Sequence, residues 1–91
     1  MNIYVGNLNH QTTEKQLHDL FTPFGVIDAS KIITKEHSGK SRGYGFIEML
    51  NQKEAETAIA GLNGFDLDGY TIVVKKAQQN NQGNNYDQNM F

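Results

Sequence analysis

Two kinds of side chain in this sequence could do chemistry: rings that stack and groups that ionise. The rings with suggestive spacing are Tyr4, Tyr44 and Phe46, the last two alternating with Gly43 and Gly45 behind Arg42. A solvent-facing ring offers its π-face to a flat heterocycle, and one base–aromatic stack is worth roughly 1–3 kcal/mol by alanine substitution. Arg42, two residues before the first of those rings, carries a rigid fork of donors that suits phosphate better than a lysine would. The ionisable groups make no catalytic constellation. Asp66 and Asp68 look like paired acids, but they sit in a segment bounded by glycines, and a solvated turn is expected there. His10, His18 and His37 are scattered without ligand spacing, and the chain has no cysteine. No metal, no cofactor and no catalysis are expected. Gly43-x-Gly45 lacks the third glycine and the opening helix of a dinucleotide fingerprint.

The elements that must position these residues follow from periodicity. Residues 2–6 alternate, with Ile3 and Val5 on one side and Tyr4 on the other, as in a half-buried strand. Thr13 with Gln16 forms a capping-box pattern that opens a helix whose apolar stripe is Leu17, Leu20, Phe21 and Phe24. Pro23 should distort its last turn, and Gly25 should stop it. Residues 26–33 read as a second strand whose alternation is muddled around Ser30-Lys31-Ile32-Ile33, so its register stays open. A polar loop over 34–41 precedes a third strand over 43–49. Asn51 with Glu54 caps a second helix with the stripe Ala55, Ala58, Ile59 and Leu62, ended by Asn63-Gly64. A connector over 65–70 leads to a fourth strand over 71–75, with Ile72 and Val74 on one parity.

The order β-α-β-β-α-β predicts an α+β, ferredoxin-like split βαβ sandwich. Right-handed crossovers put both helices on one face of a four-stranded antiparallel sheet, with the first and third strands in its middle. The other face is left to the outward parity. There the sequence places Tyr4 on the first strand and Tyr44, Phe46 and Glu48 on the third. Three rings facing water forgo their burial free energy, and stacking of unpaired bases supplies a reason. The rings are expected to lie coplanar enough for bases to rest on them. Lys31, Lys40 and Lys75 are candidates for phosphate, and Asn2, on the Tyr4 parity, for a base or sugar.

Ile3-Tyr4-Val5-Gly6-Asn7-Leu8 looks like the ribonucleoprotein hexamer of the RNA recognition motif family. Arg42-Gly43-Tyr44-Gly45-Phe46-Ile47-Glu48-Met49 resembles its octamer, K/R-G-F/Y-G/A-F-V-x-F/Y. Ile47 replaces the usual valine, and Met49 replaces the final aromatic at an inward position. The resemblance covers 2–77 and implies that Tyr4, Tyr44 and Phe46 stack bases while Arg42 contacts the backbone. The layout is also similar to small glycine-rich and bacterial (cyanobacterial-type) RNA-binding proteins. A cold-shock-type barrel shares the Gly-aromatic-Gly-Phe pattern but is all-β, against two capped helical stripes here.

The bulk numbers bound the rest. Ninety-one residues suit one domain, expected over 1–77, with a disordered Asn/Gln/Gly-rich tail over 78–91. The net charge of −2 speaks against indiscriminate binding of polyanions, yet Lys31, Lys35, Lys40 and Arg42 cluster against the single acid Glu36. With no charged-then-apolar leader and no membrane-length apolar run, a soluble, cytoplasmic monomer is expected, without membrane partners. The expected partner is single-stranded RNA, in a chaperone or post-transcriptional regulatory role. The competing readings are a protein-interaction module on the same scaffold and single-stranded DNA binding.

Overall fold

A computed structural model of the chain describes residues 1–77. Its first helix, α1 (Glu14–Phe21), starts where the capping box predicts. Thr13 Oγ1 accepts from the Gln16 N–H at 3.1 Å, and Gln16 Oε1 accepts from the Thr13 N–H at 2.8 Å. Two donors that the helix itself leaves unpaired are thereby satisfied. The helix buries Leu17 and Phe21 and tightens into a 3-10 turn, Thr22–Phe24, with Pro23 inside it. Proline has no N–H for the α-helical ladder, so the last turn changes type. The second helix, α2 (Gln52–Leu62), begins with Asn51 Oδ1 accepting from the Glu54 N–H at 2.9 Å. Phe24 rests on its Gly61, where an added Cβ would lie 3.1 Å from two ring carbons.

Strands β1 (Asn2–Gly6), β2 (Ile27–Thr34) and β3 (Ser41–Met49) are followed, after α2, by a short ribbon of β4 (Asp66–Leu67) and β5 (Tyr70–Thr71), then by β6 (Val73–Lys76). The main sheet runs in the order β2-β3-β1-β6, antiparallel throughout, with β1 and β3 in the middle. Ile3, Val5, Ile47, Met49 and Val74 from the sheet join Leu17, Phe21, Ala55, Ala58 and Leu62 from the helices in one buried cluster. Both helices therefore pack on the same face, as the ferredoxin-like fold requires. Among the described residues, no helix is long and apolar enough to cross a membrane.

The structure departs from the sequence expectation in the connector and along β2, and β3 begins at Ser41, two residues before the expected 43. The connector over 65–70 folds into the β4–β5 ribbon, turned by Asp68 at φ 53° and Gly69 at φ 84°. Both residue types tolerate left-handed backbone, which lets so short a loop reverse. The last strand consequently starts at Val73, later than the expected 71. Along β2 the pairing shifts between Ile27 and Ala29 and again between Ile32 and Thr34. Gly45 makes room for this irregular backbone, because a Cβ there would collide with the Lys31 carbonyl and lie 3.1 Å from Ile32 Cα. The Ile32 N–H donates to Glu14 Oε2 at 3.0 Å. The muddled alternation in the sequence thus corresponds to a strand with two register shifts. The expected tail, 78–91, lies outside the described residues.

Candidate nucleic-acid interface

Alternation along the middle strands sorts the side chains into two sets. Tyr4 lies between fully buried Ile3 and Val5, and Phe46 lies between buried Gly45 and Ile47. Tyr4, Tyr44 and Phe46 are half-buried on the sheet face away from the helices. Strand register brings them together, Tyr4 opposite Phe46 and Gly6 opposite Tyr44. Ring centroids are 5.9 Å apart for Tyr4–Tyr44, 5.9 Å for Tyr4–Phe46 and 6.1 Å for Tyr44–Phe46.

The rings are not coplanar as expected. Tyr4 and Tyr44 are inclined by only 29°, but Phe46 meets them edge-on, at 67° and 89°. Aromatic quadrupoles favour edge-to-face contact, and ring rotation is a torsion that strand parity does not constrain. Gly6, on the same face two residues along β1, lets the Tyr4 ring lean over it. A Cβ at Gly6 would meet the Tyr4 hydroxyl and lie 2.7 Å from its ring carbons. Gly6 is a site residue that the sequence reading missed, although its parity with Tyr4 was the available signal.

The flanking candidates fall into rows across the sheet. Lys31 pairs with Phe46 and Lys75 with Tyr4, giving the row Lys31–Phe46–Tyr4–Lys75. Lys75 Nζ stands 5.3 Å from the Tyr4 ring centroid, a cation–π distance. A second row is Tyr44–Gly6–Val73, and a third is Ala29–Glu48–Asn2. Arg42 is exposed two residues before Tyr44. Gly43 between them has φ 87°, a left-handed conformation that disfavours any Cβ. Its N–H donates to Ser41 Oγ at 2.9 Å, and its carbonyl accepts from the Leu8 N–H at 2.8 Å. Lys40 lies apart from the rows, on the loop between β2 and β3, so the structure does not bring it to the rings.

Asp66 is exposed as expected, but Asp68 does more than face solvent. Its carboxylate accepts from the Thr12 hydroxyl at 2.7 Å and from Gln16 Nε2 at 3.2 Å, and its carbonyl accepts from Asn9 Nδ2 at 3.1 Å. It ties the β4–β5 ribbon to the start of α1, a partnership of distant residues that a turn motif does not reveal. Among the described residues, no group of three His, Cys, Asp or Glu stands together as a potential metal site.

A four-stranded sheet with two helices on one face, and an aromatic cluster flanked by lysines on the other, makes a ferredoxin-like domain. The family model described as the RNA recognition motif matches residues 3–73. The chain belongs to the RNA recognition motif family. It is 42% identical over 80 residues to "Glycine-rich RNA-binding protein GRP2A" of Sinapis alba, covering 88% of this chain and 47% of that protein. The chain thus spans about half the length of such relatives. Among solved structures, "RNA Binding Protein PG1" superposes with a TM-score of 0.85 at 39% identity, covering 88% of this chain and 96% of that one. The Rna15 domain "with bound RNA (GU)" superposes with a TM-score of 0.77 at 27% identity, covering 86% and 83% respectively.

Proposed function

We propose that this chain binds single-stranded RNA on the sheet face away from its helices. Unpaired bases stack on Tyr4, Tyr44 and Phe46, while Lys31, Lys75 and Arg42 meet the phosphates between them. The observation that carries this reading is the three-ring cluster on the two middle strands, two of whose rings, Tyr4 and Phe46, lie in a row between Lys31 and Lys75. Every base has a π-face, so such a platform tolerates many sequences, which suits an RNA chaperone or a post-transcriptional regulator. The names of the relatives and the RNA held by the Rna15 domain support an RNA ligand. The reading is one of binding, not catalysis, by a monomer with its domain over 1–77. A single domain with three stacks and few phosphate contacts should bind on the order of micromolar or slightly tighter.

The test is a fluorescence-anisotropy titration of a labelled single-stranded RNA and its DNA equivalent, with the native chain and Phe46→Ala. Phe46→Ala should weaken RNA binding roughly tenfold, with the circular dichroism spectrum of the native chain retained. Unchanged affinity would sink the stacking platform. DNA bound as tightly as RNA would widen the ligand to single-stranded nucleic acid of either sugar.

A further inference from the structure

The three rows on the binding face differ in chemistry. Two of them carry rings, and the first of these also carries the cations Lys31 and Lys75, as a platform for a polyanion should. The third carries an acid, Glu48, paired across the strands with Asn2 on one side and Ala29 on the other. A carboxylate on this face opposes phosphate, so its place there calls for a ligand group that donates hydrogen bonds.

The surroundings of Glu48 fit such a group. It is half-buried, and among the described residues its side chain forms no hydrogen bond or ion pair. It lines a groove of about 330 Å³ together with Phe46, Asn2, Ala29, Lys31 and Ala77. Ala29 and Ala77 contribute only small side chains to its lining. Phe46 is two residues before Glu48 on the same strand face, so a base resting on the Phe46 ring turns an edge toward the carboxylate.

We infer that Glu48 selects guanine at this position of the bound strand, a deeper reading that rests on the platform proposed above. The reason is the donor pattern of the bases. Guanine alone presents two adjacent donors, N1–H and N2–H, on its Watson–Crick edge, and a carboxylate presents two acceptor oxygens in a matching fork. Cytosine and adenine present an amino donor beside an acceptor nitrogen, whose lone pair faces the second carboxylate oxygen unfavourably. Uracil presents one N–H between two carbonyls. Single-stranded RNA is read on such edges once its bases are splayed apart.

The test uses the chain and its Glu48→Gln variant with four fluorescent U-rich octanucleotides. Three carry one central guanosine, inosine or adenosine, and the fourth is all uridine. Inosine lacks only the N2 amino group. The native chain should bind the guanosine RNA roughly tenfold more tightly than the inosine or adenosine RNA. Glu48→Gln, whose amide offers a single acceptor oxygen, should lose that preference and bind the all-uridine RNA as the native chain does. Equal binding of all four RNAs by the native chain overturns guanine selection and leaves the platform standing. So does a Glu48→Gln variant that keeps the preference, or one that tightens on every RNA alike, which marks Glu48 as a charge effect only. Failure to bind any of the four defeats the platform reading itself, and this one with it.

Discussion

Adjacent residues on the same two strands meet opposite environments. Ile3, Val5, Ile47 and Met49 are fully buried against the helices, whereas Tyr4, Tyr44 and Phe46, each one step along the chain, stay half-exposed. The sheet is one object with two ledgers. On the helix side a side chain contributes its burial and packing, so its loss is felt in folding. On the other side the rings are only half-buried, and under the proposed function their loss is felt in binding. The difference explains how a chain of 91 residues with a net charge of −2 could serve the RNA binding proposed above. The cations are few, but Lys31 and Lys75 occupy the two edge strands of one row and Arg42 precedes the rings. The proposed surface rests on local placement of charge and not on the total.

Four substitutions or titrations would break or sharpen that contrast. The largest effect is expected from Ile47→Ala on the helix side, which should cost about 2–5 kcal/mol of stability in urea denaturation. A smaller loss than that of Tyr44→Ala would erase the contrast between the faces. Tyr44→Ala should cost roughly 1–3 kcal/mol of RNA binding, with its urea midpoint shifted far less than that of Ile47→Ala. Asp68→Ala should lower stability by roughly 1–3 kcal/mol, through loss of its hydrogen bonds to Thr12 and Gln16 and of a residue type that tolerates its left-handed backbone. RNA affinity should not change in this variant, since Asp68 joins the ribbon to α1 and not to the rings. The smallest effect lies in the salt dependence. With about three phosphate contacts, log K should fall with log salt at a slope near −2. Arg42→Gln should flatten that slope by about 0.7, whereas a variant on the helix side should leave it unchanged.

Much of this division between faces was legible in the sequence, for physical reasons. Strand parity has a period of two, so Ile3 and Val5 fix the direction of Tyr4 without any knowledge of tertiary contacts. The caps at Thr13 and Asn51 are local hydrogen bonds, and local chemistry can be read locally. What escaped depends on residues far apart in the chain. Next to the second shift in β2, the backbone at Lys31 and Ile32 packs on Gly45 from the next strand and donates to Glu14 from α1. The β4–β5 ribbon relies on Asp68 reaching Thr12 and Gln16. Within the candidate site, parity placed the rings but not their rotation. The lean of Tyr4 over Gly6 and the edge-on stance of Phe46 come from packing among the side chains. The cations divide in the same way. Lys31 and Lys75 are fixed by pairing in the strand ladder, whereas Lys40 sits on a loop where no register constrains it.

The most direct measurement is a titration of isotope-labelled protein with single-stranded RNA, following the backbone amide resonances residue by residue. Shifts should concentrate on β1 and β3 around Tyr4, Tyr44 and Phe46 and spread to Lys31 and Lys75, with Lys15 on α1 and Glu56 on α2 unmoved. Shifts gathered on the two helices, with the ring-bearing strands silent, would contradict the assignment of the binding face.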